Sequence, residues 1–234
     1  MLEMLAGLAL RGNENGSSVT FRTAGTLTAI AMLGLPGAAP HQNSDPLDDL
    51  FARGRAAQAA IKSISASFTE TSVSSLLRDP LVSTGTLVAT LPIRVVMSYS
   101  SPTVKTVALD DTRLVVDRGP GQAREEINIA DTQRRVQKYF GEASPKQLRE
   151  LFTINLASDL KADAHRLEMV PRRKQMAEGI DRLRIWIDRT RLVMTRMVLD
   201  YPGGDSKTLE LHDIRTNVAI DESVFGLLAR KRVP

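Results

Sequence analysis

The residue types that most often carry out catalysis or bind metals are scarce in this sequence. It has three histidines and no cysteine among 234 residues. Asp163 and His165 can share one face of a strand, but no Gly-x-Ser-x-Gly motif supplies a nucleophile. His212 and Asp213 are adjacent, so in a strand their side chains point to opposite faces and cannot converge on one metal or substrate. We therefore predict no catalytic residue, no metal site and no cofactor.

Three charged or glycine-rich segments have simpler explanations than a binding site. The adjacent acids Asp110-Asp111 are too close in sequence to flank one scissile bond from two sides. Gly119-Pro120-Gly121 is predicted to be a hairpin turn rather than a phosphate loop, because Pro120 lacks an N–H group and no helix follows. The basic cluster at residues 172–174 is interpreted as a solvated loop. Contact with anionic lipid head groups or a membrane partner is the alternative.

The composition is that of an ordinary globular protein and excludes several classes. Hydrophobic residues make up 42% of the chain and charged residues 25%, which disfavours disorder and a multi-span membrane protein. The net charge is only +4, and one Trp, three Tyr and six Phe offer few stacking surfaces for nucleic acid. The absence of cysteine excludes disulfides and a lipid anchor on an N-terminal cysteine.

The first 40 residues resemble an export signal. A twelve-residue uncharged apolar run at 24–35 follows Arg22 and precedes small residues at 37–39. A membrane-spanning helix needs about 20 apolar residues, so a cleaved signal peptide is favoured over a permanent span. Residues 1–18 do not fit a signal peptide, so either translation starts near Val19 or the chain has a genuine extension. We predict that 1–40 comprises the signal peptide together with an extension that is either genuine or the result of a wrongly assigned start, and that 41–234 is a single domain outside the cytoplasm.

One helix followed by many strands must position the remaining side chains. Apolar residues recur at helical spacing over 46–64, and a second short helix is predicted from the capping box that begins at Ser144-Pro145. From Ile64 onward apolar and polar residues alternate, and this period of two residues is typical of strands. The strand-like runs that follow are 84–91, 93–99, 105–109, 113–117, 133–140, 166–170, 183–188, 193–201 and 209–216. About ten antiparallel strands predict a large curved sheet or barrel.

The predicted strands have one apolar face. Alternation places Val95, Met97 and Tyr99 on the face opposite Arg94 and Val96. Because only two short helices are available to cover so large an apolar surface, a lid over a hydrophobic cavity is one interpretation. A filled core is the other, and the periodicity alone favours it.

Four segments occur in an order that is typical of one known family. They are IKSISASFTET at 61–71, GTLVATLP at 85–92, VVMSYSSPTVKTVALDDTRLVVD at 95–117 and RLRIWIDRTRLVMTRMVLDYPGGDSKTLELHDIRTNVAIDESVF at 182–225. Taken together over residues 46–225, they resemble the periplasmic lipoprotein carrier family, LolA. The resemblance implies an α+β, mainly antiparallel fold, an incomplete, half-open β-barrel whose apolar concave face is covered by short helices.

The resemblance also implies a function and a set of residues. The expected function is that of a soluble periplasmic carrier, which binds acyl chains of lipoproteins or similar lipids for transfer to the outer membrane and is not an enzyme. The expected partners are the acylated cargo, an inner-membrane releasing complex and an outer-membrane receptor, with the protein itself a monomer that binds no nucleic acid. The expected cavity residues are Phe68, Leu87, Ala89, Val95, Met97, Tyr99, Ile185, Ile187, Met197, Leu199, Tyr201 and Leu209. The expected lid residues are Leu50, Phe51, Leu148, Leu151 and Phe152.

The sequence departs from the family pattern in ways that keep a second function open. Carriers of this family typically have an arginine immediately before the proline of the second strand, where it bonds to the lid, and here that position is Leu91. The expected cavity is aliphatic and contains methionine, where the family is rich in aromatic residues. The alternative is a LolA-fold sensor or interaction domain of an envelope-stress system that regulates a sigma factor.

Overall fold

An open antiparallel sheet of eleven strands dominates the computed structural model, which describes residues 45–91, 93–136 and 144–229. The elements in chain order are α1 (Pro46–Ala59), β1 (Ser63–Val73), β2 (Leu81–Thr90), β3 (Arg94–Ser101), β4 (Lys105–Leu109), β5 (Arg113–Asp117), β6 (Glu125–Asn128), α2 (Ala130–Val136), α3 (Pro145–Leu151), β7 (Phe152–Asp159), β8 (Ala164–Pro171), α4 (Lys174–Ala177), β9 (Arg182–Asp188), β10 (Met194–Asp200), β11 (Ser206–Thr216) and a 3-10 helix (Glu222–Leu228). The predicted export signal at 1–40, and residues 137–140 of one predicted strand, lie outside the described residues.

The strand order explains how the chain builds this sheet. The order is β6-β5-β4-β3-β2-β1-β11-β10-β9-β8-β7. The chain therefore adds β1 to β6 outward in one direction, crosses to the far edge, and returns from β7 to β11 beside β1. The long strand β1 joins the two halves, because it pairs with both β2 and β11. Within the described residues β6 and β7 are edges that do not pair with each other, so the predicted incomplete barrel is confirmed.

Both predicted helices begin where their capping residues are. Asp45 Oδ1 accepts a hydrogen bond from the Leu47 backbone N–H at 2.9 Å, and Pro46 occupies the first turn of α1. Ser144 and Gln147 form the predicted capping box at the start of α3. Helix α1 ends at Ala59, earlier than its apolar spacing predicts, because β1 begins at Ser63.

Two assignments made from the sequence are wrong. Residues 133–136 belong to helix α2 instead of a strand. The Asn128 side chain accepts a hydrogen bond from the Ala130 N–H just before this helix, and Gln133 is buried, with its side chain donating to the Asp110 carbonyl. Phe152 lies beyond helix α3, as the extended first residue of β7, so it is not a helical lid residue.

Four further elements were missed because their sequences are short or weakly patterned. They are β6 and β7 at the sheet edges, the short helix α4 and the 3-10 helix near the C-terminus. The 3-10 helix packs Phe225 and Leu228 against Val96, Ala108 and Val115. Part of the sheet is therefore covered on the face opposite α1 and α3. No helix in the described ranges is both long and apolar enough to cross a membrane.

Candidate functional site: the inner face of the sheet

Cross-strand register places most of the predicted cavity residues on one face, which we call the inner face. In antiparallel strands, residues directly opposite each other point to the same side of the sheet. Met97 lies opposite Leu87 on β2. In the other half of the sheet, Met197 lies opposite both Leu209 on β11 and Ile185 on β9. The inner face therefore runs across the sheet without interruption from β6 to β7.

The first half of the inner face is a buried cluster built mainly from β1 to β5. Its members are Phe68, Leu87, Val95, Met97, Tyr99, Val107, Leu109, Leu114, Val116, Ile129 and Leu209, and Ala89 packs against it partly buried. Seven predicted cavity residues lie here. The additional members on β4 and β5 follow the same alternation and could have been found from it.

The second half of the inner face is covered by α1 and α3. Its cluster contains Met197, Leu199, Leu167, Met169, Leu183 and Phe152 from the strands, Leu47, Leu148 and Leu151 from α1 and α3, and Ile180 from the loop before β9. Ile185, Tyr201 and Phe51 pack against it partly buried. Ile187 belongs to neither cluster, and Leu50 is buried but outside both. The structure thus places apolar side chains of both helices directly on the inner face.

The two covering helices are joined to each other by polar contacts at the surface. Arg149 of α3 donates to Asp45 at 2.5 Å and to Asp48 of α1 at 3.4 Å. The pKa of Asp45 lies below its ordinary value, mainly because the Leu47 backbone N–H donates to it, with Arg149 adding to the effect. These side chains are between 38% and 54% exposed, so the ion pairs contribute little to stability. The apolar contacts beneath the helices hold them in place.

A charged group lies on the inner face beside the first cluster. The Glu70 side chain is only 9% exposed, and its two oxygens lie 3.7 Å from Lys207 Nζ and 3.2 Å from the hydroxyl of Tyr99, which donates to it. Lys105 Nζ lies 4.3 Å from the centre of the Tyr99 ring. Sequence reasoning missed Glu70, although it continues the inward alternation of Ala66 and Phe68.

Gly85 allows two aromatic rings of the inner face to meet. It lies opposite Phe68 on one side and Tyr99 on the other. A Cβ atom at this position would lie 2.1 Å from the Ser98 carbonyl oxygen and 2.8 Å from Phe68 Cζ. The missing side chain leaves room for the Phe68 ring, which contacts Tyr99 edge-to-face with centroids 5.0 Å apart.

The position expected to carry a lid-binding arginine has no such role here. Leu91 is 61% exposed in the turn after β2. Arg94 does not replace it, because its guanidinium pairs with Glu222 at 2.6 Å and lies 4.2 Å from the centre of the Phe225 ring. Both partners belong to the 3-10 helix on the outer face. In this chain Arg94 therefore helps to hold the 3-10 helix against the outer face of the sheet.

The titratable groups of the described residues do not gather into a metal-binding cluster. Within the described ranges, no three His, Cys, Asp or Glu side chains are grouped so that they could hold a metal ion. The pKa of His165 lies below its ordinary value, because burial and the nearby Arg189 and Arg53 disfavour the protonated ring, while Asp49 partly offsets them. Arg53 and Asp49 of α1 thus influence the charge of a ring on β8.

A polar groove lies away from the inner-face clusters. It has a volume of about 900 Å³ and lies between the β5–β6 turn and the end of the 3-10 helix. Its charged side chains already have partners: Arg113 pairs with Asp110 and Glu126, and Arg124 pairs with Asp117. Gly119 and Gly121 in this turn have positive φ angles, so the predicted hairpin turn is confirmed. A paired, polar groove does not suit an acyl chain.

Comparison with known families gives one match, to a family of carriers. A sequence model described as outer membrane lipoprotein carrier protein LolA matches residues 59–227, which is more than half of the chain. No curated protein sequence is significantly similar to the chain.

Several solved structures are similar to the chain at low sequence identity. An uncharacterized conserved protein from Thermus thermophilus is 9% identical with a TM-score of 0.50, over 81% of this chain and 96% of that one. Lipoprotein LppX from Mycobacterium tuberculosis is 14% identical with a TM-score of 0.47, over 76% and 100%. A chain in the MucA/MucB complex of Pseudomonas aeruginosa is 16% identical with a TM-score of 0.47, over 75% of this chain but only 59% of that one.

Proposed function

Because the chain belongs to the LolA family of outer membrane lipoprotein carrier proteins, we propose that it is a carrier that binds the acyl chains of lipoproteins or similar lipids on the inner face of its sheet. The observation that carries this proposal is the inner face, which holds two large apolar clusters, one of them covered by two short helices. Each buried methylene contributes about 0.8 kcal/mol, so acyl chains bind such a surface without polar anchors.

The proposed uptake requires α1 and α3 to leave part of the inner face. Their contacts with the strands are apolar side chains such as Leu47, Leu148 and Leu151, and their mutual ion pairs are exposed. An acyl chain that takes the place of these side chains restores apolar burial on the strands. The free-energy cost of opening is therefore largely offset when the ligand binds.

A charge on the inner face tests the proposal. We expect Ile185→Glu to weaken binding of a fluorescent fatty-acid probe at least tenfold, because the carboxylate must lose its hydration when an alkyl chain covers it. Leu160→Glu is the matched control, because Leu160 is aliphatic, 81% exposed and in the turn between β7 and β8, outside both inner-face clusters. Circular dichroism should first show that both variants are folded. Absence of probe binding by the wild type, or equal weakening in both variants, would refute the carrier function.

The alternative function, a LolA-fold sensor or interaction domain, has one observation in its favour. Met97, Leu199 and Leu209 are at most 2% exposed because they pack against other side chains of the same face. A face filled in this way needs no ligand. In that case the wild type would bind no fatty-acid probe, so the same titration separates the two functions.

A further inference from the structure

Exposed apolar side chains are concentrated at one end of the sheet. Among the described residues, ten large hydrophobic side chains are markedly exposed, and six of them lie at the end where β1 turns into β2. These six are Val73, Leu76, Leu77, Leu81, Val82 and Val104. Leu76 is 92% exposed and Val104 is 70% exposed. We call this end, formed by residues 73–82, 102–104 and 172–174, the hairpin end.

Strand register shows that these segments belong to the same end. Ser72 lies opposite both Leu81 and Lys207, and Leu199 lies opposite Lys207 and Leu183. Leu183 in turn lies opposite Met169, two residues before the end of β8. Residues 172–174 therefore follow the end of β8 at the same height as the β1–β2 turn. The two segments are four strands apart, which is about 19 Å across the sheet. The β3–β4 turn lies nearer the middle of the sheet than the β1–β2 turn, because Ser101 at the end of β3 lies opposite Thr84, and β2 begins earlier, at Leu81.

The tip of the β1–β2 hairpin is held in place although its leucines are exposed. The Asp205 carboxylate accepts hydrogen bonds from the Ser74 hydroxyl and the Ser75 backbone N–H, both at 2.9 Å. These bonds fix the hairpin to the turn between β10 and β11. Leu76 and Leu77 are thus presented to solvent by an anchored hairpin.

Basic side chains accompany the exposed leucines. Arg78 follows them directly, and Arg172, Arg173 and Lys174 are also exposed. None of these four has an ion-pair partner among residues 45–91, 93–136 and 144–229. The exposed acids Asp79, Glu178 and Asp181 lie nearby, so the net positive charge of the hairpin end is small. Apolar contact must therefore supply most of any binding energy.

We propose that the hairpin end docks on the surface of a phospholipid bilayer, with Leu76 and Leu77 entering the interface and the cations contacting lipid phosphates. Five of the six exposed apolar side chains lie along the β1–β2 hairpin, and Val104 lies on the separate β3–β4 turn. A bilayer interface accepts apolar side chains that protrude from turns, whereas a folded partner needs a complementary surface. The cations next to the tip match the charge of the phosphates. This docking does not depend on acyl-chain binding by the inner face.

A site-specific label tests the docking on the full chain. Because the sequence has no cysteine, Leu76→Cys creates a single attachment site for an environment-sensitive fluorophore. Leu160→Cys is the matched control, because Leu160 is 81% exposed at the opposite end, between β7 and β8. With vesicles of phosphatidylcholine and phosphatidylglycerol, we expect a blue shift and increased emission at position 76 and no change at 160.

Leucine variants and added salt distinguish the apolar contribution to vesicle binding from the electrostatic one. We expect Leu76→Ser with Leu77→Ser to lower binding at least tenfold, as judged from the emission of a fluorophore attached through Val104→Cys. Replacing phosphatidylglycerol by phosphatidylcholine, or adding salt, should weaken binding only a few-fold, because the charge balance is small. An unchanged emission at position 76, or equal changes at 76 and 160, would overturn the proposal. Either result would leave the fatty-acid titration of the inner face unaffected.

Discussion

Glu70 is a buried charged residue on the largely apolar inner face. Its carboxylate lies beside Phe68 and Leu209 and retains only two described polar partners, the Tyr99 hydroxyl and Lys207. A buried carboxylate that loses its counter-charge keeps its desolvation cost without compensation. We therefore expect the interaction with Lys207 to stabilise the fold mainly by compensating this cost, with little net gain over an apolar pair.

Removal of Lys207 tests this requirement. We expect Lys207→Met to lower the free energy of unfolding by about 3 kcal/mol, because Glu70 remains buried without a cation. Urea denaturation followed by circular dichroism measures the change. The double variant Glu70→Gln with Lys207→Met carries neither charge and should recover most of the loss. A single variant as stable as the wild type would show that Glu70 does not need the lysine.

The 3-10 helix covers the outer face of β3 to β5 and forms a buried apolar cluster with it. Phe225 is 4% exposed against Val96 and Ala108, and Arg94 stacks on its ring while pairing with Glu222. The Asp221 side chain accepts from the Ser223 backbone N–H at the start of this helix. The outer cover is thus held by apolar contact and by two arginines, Arg94 and Arg113, the second of which donates to the Leu228 carbonyl.

Truncation of this anchor should destabilise the sheet. We expect Phe225→Ala to lower the free energy of unfolding by about 3 kcal/mol, because it leaves a cavity over Val96. Val224→Ala is the control: its side chain is 38% exposed, so its loss should cost less than about 1 kcal/mol. Thermal and urea unfolding of both variants provide the comparison. Similar small losses would mean that the 3-10 helix is not part of the cooperative core.

The whole molecule presents three surfaces with different chemistry. The inner face is apolar and half covered by helices, the outer face carries the 3-10 helix, and the hairpin end exposes leucines beside cations. A carrier that works between two membranes needs all its cargo contacts on one surface and its docking contacts on another. The proposed functions of the inner face and of the hairpin end are compatible with each other on this ground.

Export is the prediction at the scale of the whole chain. We expect the mature protein to begin between residues 38 and 44 and to be found outside the cytoplasm, because the uncharged run at 24–35 after Arg22 is typical of a signal peptide. N-terminal sequencing of the protein from fractionated cells measures the first residue. A chain that keeps residue 1 in the cytosol would contradict both the location and the carrier function.

Local features could be predicted from the sequence because their causes act over a few residues. The capping groups at Asp45 and Ser144 determine where two helices begin, and the glycines at 119 and 121 determine a hairpin turn. The period of two assigned Met97, Leu199 and similar residues to one face of their own strands. The resemblance to the LolA family then predicted the half-open sheet in which these strands and helices are arranged.

Only the tertiary structure decided which faces are covered and which residues are neighbours. Val96 was assigned to the polar side of its strand and is buried by Phe225, and Glu70 meets Lys207 from a strand far along the chain. Residues 133–136 became helical where a capping side chain and a buried glutamine stabilised that form. Such contacts depend on strand register and on the packing of distant segments. The spacing of residues within one segment carries no information about either.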